Sequence, residues 1–190
     1  YKGEEFAISL AGVYQKENAV LALNALEELD RLGWSTTMEQ RKDGLLHTSW
    51  KGRFTVINKK PLFIVDGAHN AGAADKMAES VRHYFNGKKL IYIMGVFADK
   101  EYKIVLEKTA HFAEKIYTIE TPDNPRALPA QELAKAARVY NSSAESTKSI
   151  EDAVEKAFSC AGDDENSVIL AFGSLSFIGA LTDAVEEYVG

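Results

Sequence analysis

The sequence predicts an α/β protein: a mixed six-stranded sheet, mostly parallel with one antiparallel hairpin strand at its edge, and helices on both faces. Three observations carry that prediction. Beyond Arg53, short apolar runs alternate with longer stretches of helical periodicity. The runs F-I-V at 63–65 and V-I-L-A-F at 168–172 are apolar without a break, as strands covered on both faces require. The turn Asn58-Lys59-Lys60-Pro61 is too short for a crossover, so the first two strands of the sheet form a hairpin, whereas every later strand returns through a helix and is expected to be parallel.

In chain order, residues 6–10 read as a short strand and 15–32 as a helix whose apolar positions Val20, Leu23, Leu26 and Leu29 recur every three residues. Gly33 follows as a C-cap. A second helix is expected over 35–48, with Ser35 or Thr36 as N-cap and Met38, Leu45 and Leu46 on its apolar side. The change of rhythm places a domain boundary near Trp50, dividing 1–49 from 50–190. Beyond it, strands are expected over 54–58, 62–65, 90–95, 115–119, 144–147 and 168–172, with helices over 71–85, 102–112, 130–140, 150–161 and 175–188.

Composition narrows the class. With 190 residues, 46% of them apolar, the chain can bury roughly 70% of its unfolded surface and build a core without covalent help. One cysteine, Cys160, excludes a disulfide framework and any multi-cysteine zinc site. A net charge of -6 argues against a duplex nucleic-acid binder, so an anionic ligand has to be met by a few local groups. No apolar run approaches bilayer length, and the opening Y-K-G-E-E-F is neither basic nor apolar enough for a signal peptide, so no membrane partner and a cytoplasmic setting are expected. The start at Tyr1, without Met, is expected of a fragment or a processed product.

Ligands of open α/β sheets bind at the carboxyl ends of the strands, so the loops leaving those ends are the places to search. The first is V-D-G-A-H-N-A-G, residues 65–72, running from a buried strand into a helix. Asp66-Gly67 is ordinary turn chemistry and Asn70 an ordinary N-cap, yet Asp66, His69 and Asn70 crowd one helix N-terminus, where backbone N–H groups favour an anion. The spacing Gly67 to Gly72 imitates a P-loop, but Ala73 and Ala74 stand where Lys and Ser/Thr are needed, so this segment alone cannot grip a triphosphate. The second is F-G-S-L-S-F-I-G, residues 172–179, where Ser174 reads first as a helix cap, a geometry that would also serve a ligand carboxylate. The triplet Asp99-Lys100-Glu101 reads as solvated capping. None of the four histidines has a second at i+3 or i+4, and His47, His83 and His111 fall within helices, so no metal site is expected here. There is no G-x-S-x-G and no G-x-G-x-x-G.

Taken together, V-D-G-A-H-N at 65–70, W-K-G-R at 50–53, G-V-Y-Q-K-E-N-A at 12–19, G-V-F-A-D-K at 95–100 and F-G-S-L-S-F-I-G resemble the C-terminal part of the dihydrofolate synthase/folylpolyglutamate synthase family, in the Mur ligase superfamily. The resemblance spans the chain in order. It implies that residues 1–49 are the helical end of a P-loop ATPase domain and 50–190 the Rossmann-like C-terminal domain that closes over it. By the same resemblance Asn18 reads the adenine of ATP, Arg53 reaches its phosphates, Asp66 holds the nucleotide at the ribose, and His69 and Ser174 lie near the incoming L-glutamate, with His69 and Arg53 as the catalytic pair. The implied substrates are ATP, L-glutamate and folate or dihydropteroate. Mg²⁺ is implied too, held by the ATPase portion, which is the implied partner of an otherwise monomeric chain. The sequence departs from the family pattern at Tyr14, Lys51, Ala71 and Ser176, where His, Pro, Pro and an aromatic are usual. Two other readings stand beside it: the C-terminal domain of a peptidoglycan Mur ligase, and a non-catalytic flavodoxin-like or receiver-like binding module.

Overall fold

In the computed structural model, which describes all of residues 1–190, helices α1 (Gln15–Arg31) and α2 (Met38–His47) precede the sheet. Then come β1 (Thr55–Lys59), β2 (Leu62–Asp66), α3 (Ala71–Tyr84), β3 (Lys89–Met94), α4 (Tyr102–Thr109), β4 (Ala113–Thr118), α5 (Ala130–Ala137), β5 (Ala144–Ser146), α6 (Ile150–Ala161), β6 (Ser167–Phe172) and α7 (Ile178–Val189). The strands form one sheet in the order β1-β2-β6-β3-β4-β5. Only the β1–β2 hairpin is antiparallel; all other neighbours are parallel. The predicted fold class is the observed one.

Strand alternation divides the core into two layers. Ile64, Tyr92, Met94, Ile116 and Leu170 face α3, α4 and α5, whose Met77, Val81, Leu106 and Leu133 complete a cluster of 23 buried residues. Their neighbours Phe63, Val65, Ile91, Ile93 and Ile169 face the other way, onto Val154, Phe158, Leu181 and Val185 of α6 and α7, in a cluster of 19. Both faces of the central strands are thus covered, which is why their sequences are continuously apolar.

The structure departs from expectation mainly in the first 50 residues. Residues 6–10 form no strand; their backbone meets the end of α2, with the Ser9 N–H donating to the Leu45 carbonyl at 3.4 Å, and no strand lies alongside to complete a ladder. Helix α2 starts later than predicted and its cap is Thr37, whose side chain accepts from the Gln40 N–H in a capping box. The Thr36 hydroxyl is engaged elsewhere, accepting from Arg41 Nε at 2.9 Å. Met38 and Leu46 are exposed and α2 buries no residue, while on α1 Leu23 is buried but Val20 and Leu29 are exposed. Residues predicted as helix over 102–112 and 175–188 divide into α4 plus a 3₁₀ turn, Ala110–Phe112, and a 3₁₀ turn, Leu175–Phe177, ahead of α7.

Candidate functional site

Asp66, the last residue of β2, is 4% exposed and carries three donors. The Ala68 N–H donates to Oδ1 at 2.8 Å, and the Phe54 N–H and the Tyr14 hydroxyl donate to Oδ2 at 2.9 and 3.1 Å. A fourth bond, from the Gly67 N–H to the Gly52 carbonyl at 2.8 Å, ties the same two backbone stretches together. The chain around Arg53 is a tight corner, with Gly52 at φ +78 and Phe54 at φ +47. Left-handed backbone at a phenylalanine costs about 1–3 kcal/mol and persists only where its surroundings hold it. Here they are the bond to Asp66 and burial of the ring, stacked on Phe85 at 6.1 Å. Burial pushes the Asp66 carboxyl above the usual carboxylate range, against the pull of the two N–H groups, Tyr14 and Arg53.

This corner forms one wall of a cavity of about 700 Å³ whose lining includes Tyr14, Asn18, Trp50, Arg53, Asp66 and Lys76. Tyr14 and Asn18 are four residues apart at the start of α1, so both side chains reach the same side. The Arg53 guanidinium makes no ion pair, in contrast to Lys76, which is bridged to Glu17 at 2.9 Å. Asn18 donates from Nδ2 to Gln15 Oε1 at 2.9 Å and keeps its carbonyl oxygen free. The cavity therefore presents a planar cation, a free amide acceptor, an aromatic ring and a carboxylate with one unused lone pair on Oδ1. Those groups suit a molecule with a polar ring, hydroxyls and a phosphate chain.

Of the five residues singled out from the sequence, the structure brings Asn18, Arg53 and Asp66 together around this cavity. His69 and Ser174 sit on the loops leaving β2 and β6 at the same carboxyl edge, outside the lining. His69 Nδ1 lies 2.7 Å from the Gly67 carbonyl, and Ser174 Oγ lies 2.7 Å from Ser176 Oγ while accepting from the Ser176 N–H. The N-terminus of α3, read from sequence as an anion site, is partly occupied from within: Asn70 Oδ1 takes the Ala73 N–H at 2.9 Å and Glu101 Oε2 takes the Ala71 N–H at 3.3 Å, while Gly72 lines the cavity. The other acid of the Asp99-Lys100-Glu101 triplet, Asp99, accepts from Arg126 Nε and Nη2.

A family description, the glutamate ligase domain of Mur ligases, matches residues 52–175, well over half of the chain. The chain belongs to the Mur ligase family. The dihydrofolate synthase/folylpolyglutamate synthase of Bacillus subtilis (strain 168) is 28% identical over 176 residues, covering 92% of this chain and 40% of that protein. The folylpolyglutamate synthase of Lacticaseibacillus casei is 27% identical over 126 residues, 66% of this chain and 29% of that one. Among solved structures, the folylpolyglutamate synthase of Thermotoga maritima superposes with a TM-score of 0.75 at 26% identity, covering 96% of this chain and 41% of its own. The Mycobacterium tuberculosis folylpolyglutamate synthase solved with ADP and AMPPCP shares the fold, with a TM-score of 0.81 at 24% identity over 98% of this chain. The Mur ligase chain spans about two-fifths of the length of the first relatives it matches.

Sequence reasoning gave this Mur ligase site too few residues. In sequence Tyr14 is marked only as a departure from the family pattern, Trp50 only as the domain boundary and the start of W-K-G-R, and Lys76 not at all. Tyr14 was within reach of a spacing argument, since it precedes Asn18 by one helical turn. Lys76 lies inside α3 with no local signal, and only packing of α1 against α3 brings it to the cavity.

Proposed function

We propose that the chain supplies the closing half of the active site of an ATP-dependent Mur-type ligase that joins L-glutamate to dihydropteroate or folate in the cytoplasm. The observation that carries the proposal is the unpaired Arg53 guanidinium held beside Asn18 and Asp66 in one cavity. Residues 1–49 then belong to an ATPase domain and 50–190 form the glutamate ligase domain. The distribution of the core supports this split: the buried apolar residues run from Phe54 to Val185, with only Ala19 and Leu23 before them.

The acceptor carboxylate takes the γ-phosphoryl group of ATP with release of ADP, and the glutamate amine then attacks the acyl phosphate, losing a proton and displacing inorganic phosphate to give an amide. Arg53 offers a permanent charge to the phosphate oxygens, and a planar fork suits two of them at once. Asn18 meets the polar edge of the base, and Asp66 accepts from a ribose hydroxyl through its unused lone pair. His69 and Ser174, at the neighbouring carboxyl ends, orient the incoming glutamate. No group of three His, Cys, Asp or Glu side chains is placed to hold a metal ion, so Mg²⁺ is assigned to the preceding ATPase portion and no step is routed through it here. Relatives named for folate ligation support the folate branch over the peptidoglycan one, and the Asn18–Arg53–Asp66 grouping favours both over a passive flavodoxin-like or receiver-like module.

The test is glutamate-dependent phosphate release by the complete ligase with Mg-ATP and, in separate arms, dihydropteroate, folate and a nucleotide-linked muramoyl acceptor. Turnover with either of the first two is expected. Turnover with the muramoyl acceptor alone, or with none of the three, would overturn the assignment.

A further inference from the structure

The only side-chain hydrogen bond from the α1 segment to the loop-bearing edge of the sheet is the one from Tyr14 to Asp66. It closes a short relay. Tyr14 holds Asp66 Oδ2, Asp66 Oδ2 holds the Phe54 N–H, and Phe54 is the left-handed residue directly after Arg53. Arg53 has no ion pair of its own, so its direction is set by its backbone and by this corner. The Tyr14 ring is itself confined: a Cβ on Gly12, at φ +107, would sit 2.9 Å from its Cε1, so the glycine lets the ring lie against the backbone. Asn18, one turn further along α1, lines the cavity on the same side.

From these contacts we propose that Tyr14 is a positioning residue for nucleotide binding, fixing the Arg53 corner relative to Asn18 through Asp66. The inference rests on the nucleotide reading above and deepens it by saying what aligns the two halves of the contact. Two groups on different segments bind one ligand well only when their separation is set beforehand; otherwise binding has to order them first. The Tyr14 hydroxyl sets it through Asp66. The usual family residue, histidine, also carries an N–H donor, so the role does not depend on the phenol.

The experiment measures the ATP KM and kcat of the complete ligase as wild type, Tyr14→Phe, Tyr14→His, Arg53→Ala, Asn18→Ala and the double variant Tyr14→Phe/Arg53→Ala, with thermal midpoints alongside. Tyr14→Phe is expected to raise the ATP KM about 3- to 10-fold with kcat within about twofold, and Tyr14→His to restore most of it. In the Arg53→Ala background the Tyr14→Phe effect is expected to vanish, because there is no guanidinium left to align. A hydroxyl that merely stabilised the fold would lower the thermal midpoint in both backgrounds and leave the KM effect additive, which overturns the proposal. An unchanged KM in Tyr14→Phe while Arg53→Ala and Asn18→Ala raise it also overturns the positioning role alone. If neither Arg53→Ala nor Asn18→Ala moves the ATP KM, the nucleotide reading itself falls, and the positioning role with it.

Discussion

Asp66 on β2 lies opposite Phe172 on β6 in parallel register, so the loops that leave the two strands start side by side. Leu175 from the second loop packs down onto Gly67 of the first, and a Cβ on Gly67 would come within 2.5 Å of Leu175 Cδ2. Gly173, at φ +119, is tighter still: its Cβ would meet the Gly95 carbonyl oxygen at 2.4 Å.

These contacts predict unequal costs. Gly173→Ala meets backbone and adopts a strained φ, so it is expected to destabilise by about 2–4 kcal/mol. Gly67→Ala meets Cδ2 and Cγ of the exposed Leu175, a side chain and not backbone, and is expected to cost about 1 kcal/mol. Denaturant unfolding of the two variants checks the order, and equal losses would show that the β6–β3 approach is not the tight one.

Arg53→Ala in the complete ligase is expected to lower kcat/KM for ATP about 10- to 100-fold, the worth of one charge-assisted contact. Its thermal midpoint is expected to stay within about 1 °C of wild type, because the guanidinium supports no ion pair. A fall in stability that matches the fall in activity counts against a role in binding.

Asp66 predicts a pH dependence whose sign follows from its burial. Its carboxyl is raised above the ordinary 3.8, so the folded chain binds this proton more tightly than the unfolded chain does. The stabilisation this contributes is complete below the ordinary value and is lost as pH rises through the raised one. The melting temperature of wild type minus that of Asp66→Asn is therefore expected to decline as pH rises from below 3.8 toward neutral. A difference that instead grows over that range would mean the three donors outweigh burial.

Tyr92 lies in the larger core layer, fully buried and packed edge-on against Phe172, and its hydroxyl has no hydrogen-bond partner. An unpartnered buried hydroxyl is a cost that Phe does not carry, so Tyr92→Phe is expected to leave stability unchanged or raise it by up to about 1 kcal/mol. A clear loss in calorimetric stability would point to a partner for that oxygen.

The chain by itself is expected to fold, to release no phosphate with glutamate present, and to bind Mg-ATP more weakly than about 1 μM. The sheet carries a core of its own, but the triphosphate lacks a P-loop cradle: Gly67 to Gly72 has no Lys and Ser/Thr following, and α3 gives its Ala71 and Ala73 N–H groups to Glu101 and Asn70. Calorimetric titration measures the affinity. Micromolar or tighter binding would place a complete nucleotide site within these 190 residues.

By itself the sequence determined the elements of the sheet domain. Period and length place α6 at Ile150–Ala161 on its sequence-predicted bounds, the unbroken apolar runs mark β2 and β6 as buried on both faces, and the short Lys60-Pro61 turn forces the hairpin. All of these are local, since burial of a strand or of a helix face is written in neighbouring residues. Only the tertiary structure decided that β6, last in the chain, inserts between β2 and β3, which sets Asp66 beside the Ser174 loop. It alone showed that Tyr14 reaches Asp66 across 52 residues, and that Glu101 takes the Ala71 N–H at the helix end read in sequence as an anion site. A hydrogen bond between distant segments leaves no periodicity behind, because it depends on how whole elements pack and not on what flanks either residue. The same reason explains residues 6–10: their apolar pattern permits a strand, but a strand forms only where another lies alongside to share its backbone hydrogen bonds.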